Sequence, residues 1–220
     1  MPGPLHQTEA HVLAKAAHTG DHVVLTCFSP HDGLLTALLR PSRAGKPDAA
    51  PAPDLFDHLA LELQHGKGSP AGGPWFVREH RILARHAAIG RDYPTLAAAS
   101  RLARSITRNP GPEDSRAAIH ALLGQAFAAL ERPGTRPELV YFKSLYCLSR
   151  DEGLPLKQEW LPALPPGDRL LVASALNQPS ESPTPAAADL TRLTKRLEAY
   201  LATGHALVFD YKLPVPITPF

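Results

Sequence analysis

The chain has 220 residues and a mass of 23.7 kDa, with 44% hydrophobic residues, 20% charged residues and a net charge of +2. This composition excludes wholesale disorder, a collagen-like fibre and a coiled-coil rod, and the length suits two small domains or one large one. The 24 prolines predict short helices and rigid loops.

No apolar run is long enough to span a bilayer, and Met1 to Ala10 lacks the basic and apolar regions of a signal peptide. His11 to Ala16 is a short apolar run. Asp21 to Ser29 carries Val23, Val24, Leu25, Thr26 and Phe28, which favour a strand. Pro30-His31-Asp32-Gly33 reads as a turn, because proline presets one backbone angle and glycine permits the positive φ that closes it. Leu34 to Arg40 is then the returning strand of a hairpin. Pro41 to Pro53 reads as a loop, Leu55 to Gln64 as another apolar segment, and His65 to Pro74, with four glycines, as a flexible turn. Trp75 to Leu83 fits a strand and a helix start about equally by periodicity. Five short strands in succession predict a small barrel or sandwich.

From Tyr93 the pattern is helical. Pro94 suits a first helical position, and Leu96 to Arg108 runs without a breaker. Ile119, Leu122, Leu123, Ala126, Phe127 and Leu130 mark one face of an amphipathic helix. Leu139 to Leu148 is apolar nearly all round, which predicts a central helix with Tyr141, Phe142 and Tyr146 in the core. Leu154 to Asp168 reads as irregular, Arg169 to Leu176 as a short helix and Gln178 to Pro185 as a linker. Leu190, Leu193, Leu197, Tyr200 and Leu201 define a last helix, with Arg192, Lys195 and Arg196 off its apolar stripe and Gly204 as its C-terminal cap. The resulting fold class is α+β: a β-rich unit over residues 1–85 and a helical unit over 86–220.

Arginine carries the clearest functional signal. Seven of the 16 arginines lie between Arg78 and Arg108, where only Glu79 and Asp92 oppose them, so that window is +5 and the rest of the chain −3. Arg101, Arg104 and Arg108 share one helix face by their spacing. Such a face is either a solubilising surface or a phosphate-tracking patch. The planar guanidinium fork suits the second role, since it binds phosphate oxygens in pairs and stacks on bases. Arg40, Arg43 and Lys15 are placed to extend the patch from the hairpin side.

Other constellations point to bland roles. Cys27 and Cys147 sit in separate apolar surroundings and read as reduced, buried thiols of a cytoplasmic protein. His18 and His22 straddle Gly20-Asp21, which argues against a helical metal pair, and His80 and His86 read as surface histidines. Glu113-Asp114 and Asp151-Glu152 fit capping or solubility. The phosphate-loop, nucleophile-elbow, H-E-x-x-H and C-x-x-C motifs are absent, so no enzyme, metal or cofactor is expected.

The stretch from Ala10 through Gly20-Asp21-His22-Val23-Val24-Leu25-Thr26 to Gly33-Leu34-Leu35 resembles the opening of the bacterial RecO family. Arg40-Pro41-Ser42-Arg43 matches the basic stretch that follows there. Phe76 to Leu83 leading into Tyr93-Pro94-Thr95-Leu96 looks like that family's last barrel strand and its entry to the helical domain. Glu138 to Tyr146 with Glu152-Gly153-Leu154-Pro155, and the Leu190–Leu201 helix, fit later elements. The resemblance implies an N-terminal five-stranded OB-fold-like barrel, a helical domain, and Trp75 to Leu83 as a strand, which puts Arg78 and Arg81 on opposite faces. It further implies a non-enzymatic protein of recombinational DNA repair. Such a protein binds single- and double-stranded DNA, anneals complementary strands, and assists recombinase loading with the mediator RecR and the C-terminal tail of the single-strand-binding protein SSB. The DNA-binding candidates are Arg101, Arg104, Arg108, Arg40, Arg43, Arg78 and Arg85. Some members carry a four-cysteine zinc module after the helix near Tyr146; Cys147 stands alone here, so no zinc is expected. The Pro219-Phe220 end is similar to that of the SSB tail but lacks its acidic residues. The rival reading is a non-catalytic adaptor whose barrel and helices form a platform for protein partners.

Overall fold

The structure, a computed structural model, describes residues 4–17, 21–41, 51–66 and 73–209. Arg43, His18 and the Pro219-Phe220 terminus lie outside the described residues. Five strands, β1 (His6–Ala17), β2 (Val23–Ser29), β3 (Gly33–Leu39), β4 (His58–His65) and β5 (Trp75–Ala84), close into a barrel of order β1-β2-β3-β5-β4. Neighbours run antiparallel except β3 and β5, which seal the barrel through a short parallel pairing, Ala37 with Trp75 and Leu38 with Phe76. The chain is thus an α+β fold with an OB-fold-like barrel ahead of its helices.

Strict alternation builds the barrel interior. In β3, Leu35, Ala37 and Leu39 point inward while Leu34 and Thr36 are exposed. Ala10, Val12, Leu25, Cys27, Leu59, Leu61 and Leu63 complete that core. β1 is longer than the apolar run His11 to Ala16 suggests, and around residues 10–13 it is buried on both faces: Ala10 and Val12 line the barrel, while His11 and Leu13 turn toward the helices. That is the ordinary alternation of a strand, and a bulge follows it between Val12 and Ala14. The residues ahead of β4 form a turn in which Phe56 takes a positive φ of 69°. Two backbone bonds hold it, Val12 N–H to Asp57 O and Phe56 N–H to Val12 O, both 2.9 Å. The Phe56 ring thereby reaches Phe127 with 5.0 Å between centroids.

The helical unit begins with a 3-10 turn, Ala87–Arg91, then α1 (Tyr93–Arg108), α2 (Arg116–Leu130), α3 (Pro137–Asp151), α4 (Leu161–Ala163), α5 (Pro166–Asn177) and α6 (Ala187–His205). The strand-to-helix passage falls between Ala84 and Ala87. α3 is central: Tyr141, Phe142 and Tyr146 are all buried, with α1, α2 and α6 against it. Leu13, Phe28 and Phe56 belong to the helical core although the barrel carries them. Burying three such side chains contributes roughly 1.5–3 kcal/mol each, enough to dock the barrel on the helices.

Four local readings need correction. Leu154 to Asp168 is not irregular: a π-helical turn, Leu156–Trp160, runs into α4 and buries Leu156 and Trp160. The last helix continues through Gly204 to His205, and Ala206 takes the left-handed cap conformation instead. Cys147 is half-buried, whereas Cys27 is enclosed in the barrel. His86 is not a surface histidine; it is buried, with its Nδ1 2.8 Å from Glu131 Oε2.

Candidate nucleic-acid interface and a histidine cluster

Helix α1 presents the arginine face. Asp92 caps its start, accepting from the Thr95 backbone N–H at 3.0 Å and from the Thr95 hydroxyl at 2.9 Å. Ala98, Ala99, Leu102, Ala103 and Ile106 bury one side, which leaves Arg101 and Arg108 exposed and Arg104 half-buried. Arg101 has a structural partner. Its Nη2 donates to Glu198 Oε1 of α6 at 2.8 Å, and its guanidinium lies 4.4 Å from the centre of the Tyr141 ring. The Tyr141 hydroxyl donates to the same Glu198 oxygen at 2.7 Å, and burial beside that carboxylate pushes the phenol pKa upward. Arg101 is therefore a clamp across α1, α3 and α6 with one side still open to solvent.

The barrel arginines are dispersed. Arg40 is exposed at the end of β3, 3.7 Å from Asp21. Arg78 is exposed and donates from Nε to Gln64 Oε1 at 2.7 Å. Arg78 and Arg81 do not alternate across the sheet as a regular strand requires. The register shifts between Glu62 and Leu63, so Glu79 pairs with Glu62 while Val77 pairs with Leu63, and Arg78 is the extra residue of a bulge. Both arginines are solvent-exposed as a result. Arg85 donates to Ala52 O at 2.8 Å and to Asp57 Oδ2 at 3.2 Å, and Asp57 is itself buried. Lys15 reaches Pro53 O at 3.0 Å. The groove beside β1, β4 and β5 mixes Arg81 and His80 with Glu9, Glu62 and Glu79, so its lining is not uniformly basic.

On α6 a second groove lies over Ala188, Thr191 and Ala199 between Arg192, Lys195 and Arg196. Two of its cations converge on Asp168 of α5. Arg192 Nη1 sits 2.6 Å from both carboxylate oxygens, and Arg196 Nη1 lies 3.1 Å from Oδ2. Hydrogen bonding from Arg192 holds the Asp168 carboxyl below its usual range.

A third grouping escaped the sequence reading entirely. His11 of β1 faces His58 of β4 in register, and His120 of α2 closes over them. Ring centroids are 4.5 Å apart for His11–His58, 4.5 Å for His11–His120 and 5.1 Å for His58–His120. His11 is only 2% exposed, and the other two are half-buried. Gly124, one turn after His120, makes room: a Cβ there would meet His11 Nε2 at 3.3 Å. Burial lowers all three pKa values, with neighbouring imidazoles adding to the effect on His11, which falls to about 2; His120 falls to about 4. These rings are neutral at physiological pH, so each keeps one nitrogen lone pair. No local spacing announces the cluster, because its members lie 47 and 62 residues apart and only barrel register plus helix docking unite them.

The chain matches no protein-family model and no curated protein by sequence. Among the described residues, no helix is long and apolar enough to cross a membrane.

Proposed function

We propose that the chain is a RecO-like, non-enzymatic protein of the cytoplasm that binds single-stranded DNA and anneals complementary strands. One observation carries the reading: a closed barrel with the OB-fold strand order leads through one 3-10 turn into a helix with Arg101, Arg104 and Arg108 on one face. OB-fold barrels commonly receive single strands, and arginines that neutralise phosphates let two strands approach without base-specific readout. Arg101, Arg104 and Arg108 are the proposed phosphate contacts on α1, with exposed Arg78 and Arg81 as a second set on the barrel. Arg40 and Arg43 are weaker candidates, and Arg85 is engaged with Asp57. Arg101 contributes its open side while serving the clamp. Double-stranded DNA, RecR and the SSB tail are the partners that accompany this reading.

The test is annealing of two complementary labelled oligonucleotides followed by energy transfer. The native chain should accelerate annealing, and R104Q/R108Q should remove most of the acceleration with its circular dichroism spectrum intact. Equal annealing rates with and without the native chain would overturn the reading. If R104Q/R108Q anneals as fast as the native chain, the α1 face is not the contact.

A further inference from the structure

The histidine cluster does not depend on the DNA reading. We propose that His11, His58 and His120, with the Glu9 carboxylate as fourth donor, form a binding site for a divalent transition metal of the zinc class that ties the barrel to α2.

Four observations converge on it. The candidate ligand atoms of the three histidines all lie within 4.8 Å of one another. His11 Nδ1 and His120 Nε2 are buried and make no hydrogen bond, and His58 Nε2 has only the long 3.4 Å approach of Glu9 Oε2. The two orphaned ring nitrogens cost roughly 1–3 kcal/mol each, and a single cation would satisfy them together with His58 Nε2. Gly124, one turn after His120 on α2, carries no side chain to crowd the site, since a Cβ there would lie 3.3 Å from His11 Nε2. Finally, Glu9 stands two residues before His11 on the same face of β1, with Oε2 3.4 Å from His58 Nε2.

The dimensions suit the ion. Tetrahedral zinc with Zn–N distances of about 2.0–2.1 Å sets its ligand nitrogens roughly 3.3 Å apart. Binding therefore requires the ligand nitrogens, now within 4.8 Å of one another, to draw closer together. Three imidazoles and a carboxylate form a borderline donor set, which favours zinc, cobalt, nickel or copper over magnesium and calcium. Cys27 lies in the barrel interior and supplies no thiolate. The ligands come from β1, β4 and α2, so a bound ion cross-links the two units, and the implied role is structural.

The experiment uses the full chain after chelator treatment and dialysis, titrated with Co2+ and then Zn2+. The expected result is one Co2+ per chain with the visible absorption of four-coordinate cobalt, displaced stoichiometrically by Zn2+. Zn2+ at a hundredfold excess over its Kd should raise Tm by roughly 5–10 °C. H120Q and H58Q, each checked for folding by circular dichroism, should weaken Co2+ binding by more than ~100-fold and abolish the Tm rise, exceeding the loss of an outer-shell partner. E9Q should weaken binding less, and H80Q should leave it unchanged. Absence of the cobalt spectrum in the native chain overturns the proposal. So does binding that survives H120Q and H58Q with unchanged affinity, which would place the metal on other histidines.

Discussion

Replacing Arg101 with alanine separates a clamp from a mere surface charge. Glu198 is 2% exposed, and its Oε1 accepts from Arg101 and Tyr141 while Oε2 has no hydrogen-bond partner. Removing one member of a buried ion pair costs about 3–5 kcal/mol, because the other charge stays buried and uncompensated. The Arg101 side chain is 44% exposed, so water entering the gap solvates Glu198 in part and reduces the cost. The expected loss is therefore about 2–3 kcal/mol, or about 4–12 °C in Tm for a chain of this size. Urea unfolding of R101A, E198Q and R101A/E198Q supplies the double-mutant cycle. The double variant should recover at least about 1 kcal/mol relative to the sum of the singles, because the neutral amide no longer needs the guanidinium. Stability of R101A within about 0.5 kcal/mol of the native chain, the scatter of ordinary surface substitutions, would refute the clamp. The same result governs how DNA binding is read: a loss in R101A mixes folding with contact, and R104Q/R108Q, which keeps Arg101 on Glu198, is compared with it only after its own urea midpoint is measured.

The Asp168 carboxyl is held below its usual range, so the unfolded chain takes up the proton first as pH falls. Its contribution is full above the unfolded pKa and disappears as pH drops through the folded one. The urea midpoints of the native chain and D168N should therefore differ near neutral pH and converge between about pH 5 and pH 2; a pH-independent difference would contradict the Arg192 pairing. Gly33 closes the β2–β3 turn with φ at 69°, and a Cβ there would lie 2.8 Å from Arg116 Nε. Arg116 is held in place by donating from Nη1 to His31 O at 2.9 Å. G33A should cost about 2 kcal/mol, combining left-handed backbone strain with displacement of Arg116. In an R116A background the cost should fall to about 1 kcal/mol, the backbone share alone. Equal costs in both backgrounds would show that the guanidinium yields freely.

The barrel was legible where one physical signal dominated. Val23 to Phe28, the Pro30–Gly33 turn and the alternation from Leu34 onward define a hairpin by β-propensity and turn chemistry. The 3.6-residue period of Ile119 to Leu130 defines α2. Readings failed where tertiary contact overrides local pattern. The bulge in β5 breaks the parity that would separate Arg78 from Arg81, and His86 is drawn inward by Glu131. Arg101 shows the same limit at the candidate site: helical spacing gives its face, but its partner Glu198 is 97 residues away and becomes visible only when α6 packs on α1 and α3. The histidine cluster was invisible for the same reason. His11 sits between Ala10 and Val12 and looks like an interruption in an apolar strand, until the packing of α2 gives its outward face a neighbour.

The most direct measurement is the anisotropy of a labelled, mixed-sequence single-stranded oligonucleotide titrated with the chain at several salt concentrations. Engagement of ~4–6 phosphates by the arginine surfaces predicts that log affinity falls with log salt at a slope of about −3 to −4. Absence of binding at low salt, or binding indifferent to salt, would contradict a phosphate-tracking surface and turn attention to protein partners of the barrel and helices.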